Sequence, residues 1–130
     1  MEYNLSFIKH PKINADLLPF LRLYIAQKES KHYCIKFNTN ILQLKGIDKV
    51  LLEDIDSNIE EFPFDIEQKL LFSKVIYAIY NADSFRSDDL QELYDVGFSD
   101  KDFFELVNYA TDFMAKSKMI EIYLDNNRGT

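Results

Sequence analysis

Tryptophan is missing from this 130-residue chain, and cysteine occurs once, as Cys34. One thiol cannot close an internal disulfide or supply a cluster of metal-ligating thiolates, which reads as a reduced compartment, the cytoplasm. Glycine and proline contribute three residues each, so collagen-like and low-complexity architectures are excluded. No apolar run is long enough to span a bilayer, and the opening MEYNLSFIKH has no apolar signal core. Basic residues are in deficit: 15 Lys and Arg against 22 Asp and Glu give a net charge of -7. That balance leaves no footprint for nucleic acid. No glycine-rich phosphate loop is present, and no cofactor is implied. What is there is apolar: 47% hydrophobic residues, with 15% aromatic. A chain of this size and composition forms one domain with a sizeable core.

Hairpin signals such as Asn-Gly or Asp-Gly are absent, and apolar residues recur at helical spacing. The expected fold is an all-α bundle of about six helices. A first helix over 17–29 places Leu17, Leu21, Tyr24 and Ile25 on one face, with Pro19 in its first turn. A second over 31–45, capped by Ser30, carries the stripe Tyr33, Phe37, Ile41 and Leu44, and Gly46 ends it in a left-handed conformation. A short helix over 48–55 starts at Asp48. The acidic stretch Asp54–Asp65 reads as a loop. A helix over 65–81 has a polar face from Glu67 to Lys74, then becomes apolar on every side from Val75 to Tyr80, as if buried all round and partly against another subunit. Ser87 caps a helix over 87–96 that Gly97 ends. The last helix starts at Ser99, with Asp102 three residues on in a capping-box arrangement. Its stripe is Phe103, Leu106, Val107, Ala110, Phe113, Ile120 and Leu124. It reaches about residue 124, about 39 Å at the usual rise, and 125–130 read as frayed.

The stretch Ile25-Ala26-Gln27-Lys28-Glu29-Ser30-Lys31-His32-Tyr33-Cys34-Ile35-Lys36-Phe37-Asn38-Thr39 carries the most information. It resembles the signature of the AhpD-like family of alkylhydroperoxidases and carboxymuconolactone decarboxylases. That signature is an apolar helix ending in Ser/Ala-Gln, then Cys-x-Tyr-Cys-x-x-x-His-Thr. Ala26-Gln27, Tyr33-Cys34 and Thr39 match in register, and the likeness continues through 65–113 to the segment Gly97–Val107. The resemblance implies an AhpD-like helical domain over 1–130 and a homo-oligomer, a dimer, trimer or hexamer.

The departures bear directly on activity. Redox-active members cycle two cysteines at this spacing; Lys31 stands in place of the first, and Cys34 holds the second. Asn38 stands where the motif histidine would be, and Pro19 aligns with a proton-relay glutamate, unless a shift brings Glu29 or Asp16 nearer. Peroxide reduction needs a thiolate, a group to lower its pKa, and a second thiol to resolve the sulfenate. Asn38 cannot take a proton, so a two-cysteine cycle within one chain is impossible. The expected function is a noncatalytic binding or scaffold protein in which Cys34 is an inert buried residue; Tyr33, His32 and Tyr24 are candidates to hold a small apolar ligand near it, with a surface His32 and core tyrosines as the plainer readings. The alternative is a one-cysteine hydroperoxide reductase, in which Lys31 and the helix N-terminus depress the Cys34 pKa and an external thiol resolves it. A small lactone-acid decarboxylase is a third reading, without an evident base.

Other motifs have plainer readings. Asp54, Asp56, Asn58, Glu60 and Asp65 fall at calcium-loop spacing, but Ile59 occupies the position that needs glycine. A solvated acidic loop accounts for them. His10 reads as exposed and without a role. Two histidines and one cysteine make no zinc set and no triad. The tyrosines and phenylalanines, including Tyr77, Tyr80 and Tyr109, read as core.

Overall fold

The computed structural model describes Phe7 and residues 9–128, with side chains through Leu124. Among the described residues every regular element is helical. The α-helices are α1 (Leu17–Lys28), α2 (His32–Leu44), α3 (Lys49–Glu53), α4 (Ile66–Tyr80), α5 (Ser87–Asp95) and α6 (Asp100–Arg128). Short 3-10 helices occupy Asp56–Glu61, inside the stretch expected to be a loop, and Ala82–Ser84. None of the described helices is long and apolar enough to cross a membrane. These residues divide into two compact units. One joins the residues up to Leu18 to Glu60–Tyr109; the other joins Pro19–Ile59 to the residues from Ala110 onward. α1 and α6 therefore contribute to both.

The first unit is organised by α4 and by polar anchors. Leu71, Phe72, Val75 and Ile76 of α4 are buried, and Phe72 meets Phe62 edge-on at 5.2 Å. The polar face of α4 has defined partners. The Gln68 side chain accepts from Asn14 N and donates to the Lys12 carbonyl. Lys74 Nζ lies 2.7 Å from Asp89 and 2.6 Å from Glu92 of α5. Ser87 begins α5 but does not cap it: the residue before it, Arg86, is the cap, and Asp89 accepts its backbone N–H. At the start of α6, Ser99 and Asp102 each donate a backbone N–H to the other's side-chain oxygen, the expected capping box. Contrary to its expected idleness, His10 is an anchor. Its Nδ1 accepts from the backbone N–H groups of Lys12 and Ile13, and its Nε2 lies 3.1 Å from Asp102. A nitrogen accepting two hydrogen bonds carries no hydrogen, so Nε2 is the donor toward Asp102.

In the second unit the residues from Pro19 to Ala26 are buried except Arg22, with Leu21, Leu23, Ile25 and Ala26 fully so. From Pro19 to Ala26 α1 is therefore buried on every side but that of Arg22, a degree of burial that was expected of the second half of α4. There Tyr77 to Tyr80 are only half-buried. α1 ends in a Schellman turn: Ser30 N donates to Gln27 O, and Lys31 N to Ala26 O. Ser30 takes φ +56 to close it. It is thus the end of α1, not the expected N-cap of α2; Lys31 holds the cap position without a side-chain bond. Gly46, at φ +91, ends α2 as expected, with Ile47 N donating to Leu42 O. Asp48 caps α3 by accepting from Val50 N.

Candidate functional site

The buried face of α2 differs from the expected stripe by one position. Cys34, Asn38 and Leu42 are buried, whereas Tyr33 and Phe37 are half exposed and Leu44 is 88% exposed. One residue along a helix is a rotation of about 100°. What selects the rotated face is polar: Arg22 is the charged residue within the apolar part of α1, and Nε donates to Asn38 Oδ1 at 2.7 Å. The Asn38 amide donates in turn to the Cys34 carbonyl at 2.8 Å. Turning Tyr33 and Phe37 inward would leave a guanidinium without this acceptor, and a hydrogen bond to a charged group contributes about 1.5–3 kcal/mol.

The motif segment is bound to the turn that follows α3 through Gln27. Its amide nitrogen donates to the Leu52 carbonyl at 2.7 Å, and its amide oxygen accepts from Ile55 N at 3.1 Å. The matched glutamine is thus a clamp on backbone groups.

A hollow of about 240 Å³ opens beside Cys34. Arg22, Cys34 and Asn38 line it together with Phe113 and Ile120 of α6, and Tyr33 and Phe37 complete it. A second hollow of about 260 Å³ is lined by Tyr33, Lys36, Phe37 and Asn40. The Tyr33 and Phe37 rings stack at 6.2 Å, 13° from parallel. Two of the expected pocket residues lie elsewhere. His32 is exposed and lines neither hollow. Tyr24 is buried, and its hydroxyl donates to Asp56 at 2.8 Å.

The electrostatics of Cys34 run against the activation that the one-cysteine alternative needs. Burial pushes its thiol pKa up, the Glu121 carboxylate pushes it further the same way, and the Lys31 ammonium opposes them but does not prevail. Glu121 Oε1 is itself buried without a hydrogen-bond partner among the described residues. Glu121 and Arg22 are the site residues that the motif did not reveal. Arg22 had a signal, a lone charge in an apolar helix; Glu121 had none, because only the tertiary fold brings it near the thiol. The acidic loop is engaged internally: Asp54 accepts from Ser57, and Asn58 donates to the carbonyls of Leu51 and Asp54. No group of three or more His, Cys, Asp or Glu among the described residues is arranged to hold a metal ion.

No family model, curated protein or solved structure matches this chain.

Proposed function

We propose that this chain is a divergent AhpD-like protein that has lost two-cysteine peroxidase chemistry and acts as a noncatalytic binding protein. Its ligand is small and mainly apolar, and it sits in the hollow beside Cys34. The supporting observation is the state of the thiol: Cys34 is 3% exposed and its pKa is raised. A thiol nucleophile needs the opposite environment. Asn38, at the place of the motif histidine, has its amide oxygen and nitrogen both engaged. A reduced compartment and a self-associated form belong to the same reading.

The deciding experiment is the rate of Cys34 oxidation by an organic hydroperoxide across pH, followed by intact mass with Cys34→Ser as blank. A rate no better than that of a free thiol is expected. Fast oxidation with a midpoint below the free-thiol pKa of about 8.5 would overturn the reading. It would instead support a one-cysteine reductase resolved by an external thiol. The feature favouring that second reading is Lys31, whose charge does act on Cys34 in the activating direction.

A further inference from the structure

We infer that the two hollows form one bipartite site for an amphipathic anion: an apolar chain or ring in the inner hollow, and a carboxylate at Lys36 and Asn40. This rests on reading the Cys34 hollow as a ligand site. Tyr33 and Phe37 line both hollows, so the stacked pair is the wall they share. Each hollow alone falls below the roughly 300–1,000 Å³ of small-molecule sites, and joined they reach that range. The rings are 50% and 51% exposed, so their displacement breaks little packing.

Chemistry separates the two ends. The lining of the inner hollow is mostly apolar; its one cation, Arg22, is engaged by Asn38, and the Asn38 amide is committed to Arg22 and to the Cys34 carbonyl. Glu121, whose charge reaches Cys34, makes that end unfavourable for an anion. The outer hollow is different. Lys36 and Asn40 are exposed and make no ion pair or hydrogen bond among the described residues. The surrounding sequence from Ser30 to Ile47 contains Lys31, Lys36 and Lys45 and no acidic residue, in a chain of net charge -7. A cationic, donor-bearing outer end and an apolar inner end select a molecule with one anionic terminus, and they fix its direction.

Protection of Cys34 from N-ethylmaleimide in the full-length protein tests this, with decanoate, decan-1-ol and decylamine as probes. Decanoate should protect at a concentration about threefold lower than decanol, the scale of one exposed ion pair. Decylamine should protect no better than decanol. Lys36→Gln, with folding checked by circular dichroism, should bring decanoate to the decanol level and leave decanol unchanged; Lys45→Gln should change neither. Equal protection by decanoate and decanol overturns the bipartite site but leaves the apolar pocket standing. A decanoate preference that survives Lys36→Gln also overturns it. Protection by none of the three overturns the pocket itself, and with it the ligand-binding reading above.

Discussion

Asn38 shows how a single side chain decides what a segment can do. It is 1% exposed and holds Arg22 Nε through its oxygen. Truncation by Asn38→Ala should destabilise the protein by about 1.5–3 kcal/mol, read from urea unfolding, because a charged donor loses this acceptor. Cys34 makes a separate prediction. Its folded-state pKa is raised, so the folded form keeps its proton at a pH where the unfolded chain has lost it. The associated stability is fully present below the unfolded value of about 8.5 and is lost as pH rises through the folded value. Cys34→Ala should therefore flatten the alkaline decline of stability in that window. If the variant and the parent lose stability in parallel from pH 8 upward, the raised pKa is not present in solution.

At the scale of elements, helix ends were the most legible feature. Gly46, Gly97 and the Ser99/Asp102 pair do what their residue types imply, because capping depends on local backbone geometry. Ser30 is the informative exception. Its hydroxyl suits an N-cap, but the short link between α1 and α2 needs a left-handed residue to close α1 first, and Ser30 takes that conformation. Ser30→Gly should relieve the strain and raise stability by about 0.5–1 kcal/mol, visible as a higher denaturant midpoint. The tie between α4 and α5 predicts a pH effect of opposite sign to that of Cys34. Lys74 lowers the Asp89 pKa, so the stability it provides is present above the ordinary carboxylate value and lost as pH falls through the depressed one. Lys74→Met should weaken this acid-side loss; an unchanged acid limb would exclude the ion pair as its source.

At the scale of the whole molecule, burial is uneven along the chain. Residues Phe20–Ala26 of α1 belong to the longest stretch with so little exposure among the described residues, Leu17–Ala26, interrupted only by Arg22. Their amides should be among the slowest in hydrogen exchange, since they open only with extensive unfolding. Fast exchange there would contradict the burial of α1. Charge is also uneven: the segment from Ser30 to Ile47 is locally basic within an acidic chain. Carboxylate binding at Lys36 should weaken as salt rises from 0.01 to 1 M, where the screening length falls from about 30 to about 3 Å, while decanol binding should not weaken.

The sequence by itself determined the all-helical character, the ends of α2 and α5, the start of α6, and the presence of a single thiol, with asparagine rather than a proton acceptor at position 38. These follow from periodicity, capping chemistry and residue identity, which act over a few neighbours. Tertiary structure alone decided which face of α2 is buried. The apolar count favours the Tyr33/Phe37/Leu44 face, but pairing the half-buried Arg22 with the buried Asn38 favours the face one position away, and this charge-assisted hydrogen bond outweighs a gain in apolar burial on a half-exposed helix. That rotation puts Cys34 inside, leaves Tyr33 and Phe37 between two hollows, and brings Cys34 under the influence of Glu121 from 87 positions away. No local pattern encodes a contact of that separation, because it exists only once the helices have packed.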